Sequence, residues 1–74
     1  MKLDIYQSTA TDNRHFVVPS GSDTAKIPEP VEELPVTSID IEEGQARLYV
    51  SGTQAIADIK DHGYHVIDVP ADFT

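Results

Sequence analysis

The chain contains no cysteine. That absence excludes disulfides, thiolate metal sites, thiol nucleophiles and cysteine redox chemistry together. Small secreted domains usually depend on such staples. A chain of 74 residues without one points to a reducing compartment, most simply a bacterial cytoplasm. A long apolar run is also missing. The opening Met1-Lys2-Leu3-Asp4-Ile5-Tyr6 has one lysine and an acid at position 4, which fits neither a signal peptide nor a membrane span. Positive charge is scarce: 5 Lys and Arg stand against 13 Asp and Glu, for a net charge of −8. The bases Lys2, Arg14, Lys26, Arg47 and Lys60 are scattered. Affinity for nucleic acid comes largely from clustered Lys and Arg releasing counterions. Neither nucleic acid nor an anionic membrane is therefore an expected partner. The acidity serves solubility; its sharper readings are a basic partner or mimicry of nucleic acid.

What is present reads as one domain over residues 1–70 with a frayed tail at 71–74. A chain this short buries only about 60% of its unfolded surface, so its core is small. Leu3 and Ile5 alternate with Lys2, Asp4 and Tyr6, the period-two pattern of a half-buried strand. Ser8 to Asn13 is polar and turn-like, and Arg14-His15-Phe16-Val17-Val18 has strand composition, with Phe16 and Val18 on one face. The two strands predict a hairpin. Pro19 ends the second strand, and Pro19 to Asp23 is a loop.

The segment Ile27-Pro28-Glu29-Pro30-Val31-Glu32-Glu33-Leu34-Pro35 predicts one short helical turn, with Val31 and Leu34 plugging the core and Pro35 as its stop. Extended polyproline-like structure is the alternative. Val36 to Ile41 is a strand with Thr37, Ile39 and Ile41 on one face. Glu42 to Gln45 is a turn, and Arg47-Leu48-Tyr49-Val50 predicts a second hairpin if it too is a strand. Thr53 is the expected N-cap of an amphipathic helix ending at His62, with Ala55, Ile56 and Ile59 as its apolar stripe and Gly63 in the left-handed cap. At this length the helix depends on packing. The expected cost of Ile59→Ala is about 2–5 kcal/mol. Tyr64 to Val69 has apolar residues on both faces, as an interior strand would, and Pro70 ends it. The fold class is α+β: a small, mainly antiparallel sheet of four to five strands, with one amphipathic helix and one short helical turn packed on one face.

Taken in order, Ile5-Tyr6-Gln7-Ser8, Phe16-Val17-Val18, Ile27-Pro28-Glu29 with Leu34, Ser38-Ile39-Asp40-Ile41, the helix through Ile56 and Ile59, Gly63-Tyr64 and Val69-Pro70 resemble the YcgL-domain family of small bacterial proteins. The resemblance covers nearly the whole chain. It departs at Gln7, where the family has lysine, and over residues 47–52, where the family continues a helix. It implies helices on one face of a small antiparallel sheet, and it implies no activity or site residue.

The candidate chemistry is sparse. Asp58, His62 and His65 could supply metal ligands, but zinc requires converging geometry and the helix ends at Gly63, between the two histidines. The alternative is His62 near the helix C-terminus and His65 half-exposed on a strand. No Gly-x-Ser-x-Gly elbow and no phosphate-cradling glycine loop occurs. Glu32/Glu33 and Glu42/Glu43 are paired acids near turns, and acid catalysis needs a desolvated cleft. No catalytic, cofactor-binding or metal residue is assigned. Tyr6, Tyr49 and Tyr64 form the possible interaction face, since a sheet with helices on one side would leave them on the other; alternatively they are ordinary partly buried residues. The expected function is a non-enzymatic protein-interaction module, with a protein partner or self-association as a homodimer. The alternatives are a small enzyme or ligand binder using His15, His62 or His65 at an oligomer seam, and an acidic inhibitor mimicking nucleic acid.

Overall fold

Strand β1 (Lys2–Gln7) buries Leu3 and Ile5 on one face and Tyr6 on the other, and β2 (Arg14–Pro19) returns antiparallel with Ile5 opposite Val17. The loop between them is Ser8–Asn13, as expected, and Asn13 takes a left-handed conformation at φ 65 that asparagine tolerates. The structure is a computed structural model and describes residues 1–47 and 49–69. The expected tail at 71–74 and the stop at Pro70 lie outside the described residues.

Strand β3 (Thr37–Asp40) pairs antiparallel with β1, and a late strand that we number β6 (His65–Asp68) pairs antiparallel with β2. The sheet order is β3-β1-β2-β6. The last strand is thus an edge, not an interior strand. Its apolar residues are covered unequally: Ile67 is buried, whereas Val66 is exposed.

The α+β class holds, with a four-stranded antiparallel sheet, a two-stranded hairpin, one helix and one 3-10 turn. The helix α1 (Gly52–His62) covers one sheet face, where Leu3, Ile5, Val17, Ile39 and Ile67 share a core with Ala55 and the partly buried Ile59. Its N-cap is Ser51, whose hydroxyl accepts from the Gln54 N–H; the expected cap Thr53 lies inside the first turn. The Thr53 hydroxyl instead accepts from the Gly44 N–H at 2.9 Å and ties the 42–45 turn to the helix. Gly63 closes the helix with φ 93, donating to the Ile59 carbonyl.

The second hairpin differs from expectation. Ala46–Arg47 (β4) pairs with Val50–Ser51 (β5), not with β3. Tyr49 holds a left-handed φ of 68 in the tight turn between them. Gly52 explains the local geometry. Its N–H donates to the Gln45 carbonyl at 2.7 Å, and a Cβ there would run into the Glu42 carbonyl. This close approach turns the chain back on the 42–45 turn, so residues 46–51 pair with each other and not along β3.

The other sheet face is covered by the chain between β2 and β3. Tyr6, Phe16 and Val18 form a second core with Ile27, against which Val31 and Tyr64 pack. The helical turn sits at Thr24–Lys26, earlier than expected, and is capped by Asp23, whose carboxylate accepts from the Ala25 N–H. Residues 28–35 hold no helix. Residues 30–32 run beside the end of β1 and the loop after it: the Thr9 N–H donates to the Pro30 carbonyl, Ser8 bridges to Val31, and the Glu32 N–H donates to the Gln7 carbonyl. Val31 packs as expected, but Leu34 does not, being 78% exposed. Prolines at 28, 30 and 35 disfavour helix at the residues before them and hold this path extended.

Candidate functional site

The path of residues 30–41 defines one long outer edge. It runs beside β1 from the Pro30 carbonyl to Ile41, whose N–H donates to the Met1 carbonyl. Its register slips between Glu32 and Val36, where the Val36 N–H reaches the Ile5 carbonyl at 2.7 Å. The slack of that slip is taken up by Glu33, Leu34 and Pro35, which bulge from the ladder. Leu34 is thereby turned outward, and Val36 beside it is 59% exposed. Bulges and prolines are the devices that blunt sheet edges. They blunt only the first part of this one.

Beyond the bulge, β3 is regular. Thr37, Ile39 and Ile41 fall on the alternation that bonds to β1, so the backbone N–H and C=O of Ser38 and Asp40 face away from the sheet. The side chains of Ser38 and Asp40 are exposed and lie on the face opposite the helix. The Ser38 hydroxyl donates to Asp4 Oδ1 at 2.6 Å, the Ser20 hydroxyl donates to the same oxygen at 2.9 Å, and the Gly21 N–H reaches Oδ2. These donors favour the carboxylate. The Ser38 bond foremost, with Ser20 and Gly21, holds Asp4 below its ordinary value against the opposing effect of desolvation. An open depression of about 290 Å3 across the β3, β1 and β2 end of the sheet is lined by Lys2, Ser20, Ser38, Ile39 and Asp40.

A second polar cluster anchors the start of the same path. The Arg14 guanidinium Nη1 lies 2.7 Å from Glu29 Oε2, while the hydroxyls of Thr11 and Ser8 donate to Oε1 at 2.8 and 3.0 Å. The Arg14 bond first, then that of Thr11, holds the Glu29 carboxyl below its ordinary value; Glu29 in turn raises Arg14. Ser8 is buried and also accepts from the N–H groups of Ala10 and Thr11. This cluster closes the β1–β2 loop onto the 27–31 segment.

The histidines are brought to three different places. His65 is buried on the helix side of β6, and its Nδ1 lies 2.7 Å from Asp58 Oδ2 on α1. The half-exposed strand position expected for it is therefore wrong, because the helix folds over it. His62 faces Asp61 at 3.2 Å and stacks edge-on against Tyr64 at 4.5 Å. His15 lies 3.2 Å from the Asn13 carbonyl. The structure unites Asp58 with His65 and leaves His62 outside the pair. Among the described residues no group of three His, Asp or Glu side chains could hold a metal ion.

The three tyrosines do not share one exposed face. Tyr6 is buried in the second core, and Tyr64 packs partly buried against it, 5.9 Å edge-on from Phe16. Tyr49 stands on the β4–β5 turn, 58% exposed, while Val50 after it belongs to the helix-side core. The expectation of an uncovered second face overlooked the 20–36 segment, whose Ile27 and Val31 cover it. What the sequence reading missed is the outer edge, with Leu34, Val36, Ser38 and Asp40. The prolines around Leu34 carried the signal, because they disfavour the helical turn that would have buried it.

No protein-family model, curated protein or solved structure matches the chain. Among the described residues no helix is long and apolar enough to cross a membrane.

Proposed function

We propose that the chain is a non-enzymatic protein-interaction module of the cytoplasm that engages its partner along the outer edge of the sheet. One observation carries the reading: Leu34 and Val36 are held out of the core directly beside the edge strand β3, at 78% and 59% exposure. Large apolar side chains held outward next to open strand hydrogen-bonding groups suit strand addition, in which the backbone supplies affinity and the side chains supply choice of partner. The test is capture from the native host's lysate, at low and moderate salt, on the wild-type chain and on a Leu34→Ser/Val36→Ser variant. A partner held by the wild type at both salts and lost on the variant supports the module. A wild type that captures no more than the variant overturns it.

The pairing of buried His65 with half-exposed Asp58 favours a second reading, a small enzyme or ligand binder. A carboxylate that orients an imidazole is half of a general-base arrangement. Proton NMR titration of His15, His62 and His65 tests it: three ordinary transitions remove it, and one strongly displaced transition sustains it. The same proposal makes the chain a divergent relative of the YcgL-domain family, on the order of its strand and cap motifs, and that kinship supplies no catalytic residue.

A further inference from the structure

We propose that β3 docks an extended, basic segment of another protein, with apolar residues alternating between its lysines or arginines, as a fifth strand of the sheet. The inference rests on the interaction-module reading and names the partner's chemistry.

The first observation is the hydrogen-bonding edge itself. Ser38 and Asp40 turn their backbone groups outward, and β3 has a strand neighbour on one side only. The second is charge. Between Lys26 and Arg47 the chain carries six acids and no base. Glu29 is engaged by Arg14, and Asp40 and Glu42 reach the α-amino group of Met1. Glu32, Glu33 and Glu43 form no ion pair among the described residues and are exposed. The acids therefore flank the regular part of the edge at both ends, and Leu34 and Val36 add apolar contact at the bulge. The same charges argue against a second copy of this chain as the occupant. Two chains of net charge −8 would bring these carboxylates together across the new pairing, and like charges opposite each other on paired strands destabilise it. A basic strand converts that repulsion into attraction and gains steered association.

The test uses a synthetic peptide alternating lysine and valine, a glutamate–valine peptide of equal length, and the full chain labelled for amide NMR. The expected result is binding of the lysine peptide alone, with shift and exchange protection concentrated at the Ser38 and Asp40 amides. Its affinity should fall roughly tenfold between about 50 and 300 mM salt. Ser38→Pro removes an outward N–H and leaves the backbone bonds to β1 intact, so it should abolish binding. Ser38→Ala loses the hydroxyl bond to Asp4 but keeps the N–H, so it should bind like the wild type. Equal binding of both peptides, lost in Ser38→Pro, would overturn the basic partner and leave the docking edge standing. A dimer in sedimentation that Ser38→Pro converts to monomer, with no peptide bound, would replace the basic segment by a second copy. Binding of neither peptide by a monomeric chain would overturn the proposal; the lysate capture then decides the module reading separately.

Discussion

Glu29 lies 2.7 Å from Arg14 and fastens the proline-rich crossover to the start of β2. The bond links two parts of the chain fifteen residues apart. It fixes where the 30–41 edge begins, and with it the register that turns Leu34 outward.

Replacing Glu29 by Gln should lower the thermal midpoint at pH 7 and lower it less at pH 3. Glu29 and Asp4 are both held below the ordinary values of 4.5 and 3.8. A carboxyl depressed on folding contributes stability that is present above its unfolded pKa and is lost as pH falls through its folded pKa. Wild-type stability should therefore decline on acidification below about pH 4.5, and the decline should be shallower in Glu29→Gln. Thermal midpoints between pH 2 and pH 7 check the slope; parallel curves would refute the role given to Glu29.

Removing the carboxylate in Asp58→Ala leaves the buried His65 ring without its recorded partner. The expected cost is about 1–3 kcal/mol, from an unsatisfied buried polar group. A double-mutant cycle with His65→Ala should show coupling above about 0.5 kcal/mol. Denaturant unfolding measures it, and additive effects would mean that the pair adds nothing to folding.

Buried, half-buried and outward apolar positions should separate cleanly. Phe16 is 1% exposed and lies at the centre of the second core, so Phe16→Ala should cost about 3–5 kcal/mol. Ile59 packs against the helix-side core but is only partly buried. Ile59→Ala therefore belongs near the low end, about 2 kcal/mol. Leu34→Ser should lie within about 0.5 kcal/mol of wild type. A large loss on Leu34→Ser would show that Leu34 is buried in solution and would sink the outward bulge.

Gly52→Ala tests the tight approach of the helix start to the 42–45 turn. The added methyl meets a backbone carbonyl, which cannot yield as a flexible side chain would. The expected loss is about 1–3 kcal/mol, although alanine is the better helix former. A neutral or stabilising result in thermal unfolding would mean that the turn does not sit against the helix.

Much of the fold follows from local chemistry. The alternation of Leu3 and Ile5, the mostly polar stretch of six residues between the first strands, the aromatic and β-branched run at 16–18 and the glycine after His62 each fix their element without distant help, because sterics and solvent exposure act within a few residues. Local pattern does not choose the N-cap, since Ser51 and Thr53 are both capable acceptors and only the close contact of Gly52 with Gln45 selects the first. The partner of residues 46–51 was likewise not legible: Ala46–Arg47 and Val50–Ser51 are short enough to pair with each other.

The sequence by itself determined the acidic surface, the absence of cysteine chemistry, the first hairpin, the amphipathic helix and the α+β class, all properties of composition and short-range pattern. Only the tertiary structure decided that β6 is an edge, that His65 meets Asp58, that Tyr6 is covered, and that Leu34 and Val36 stand beside an open strand. Those outcomes depend on which segment crosses which sheet face and on the register of pairings between residues 32 to 54 positions apart. Period and propensity carry no information about either, because the same strand pattern fits an interior or an edge position and the same leucine fits a core or a bulge until its neighbours are in place.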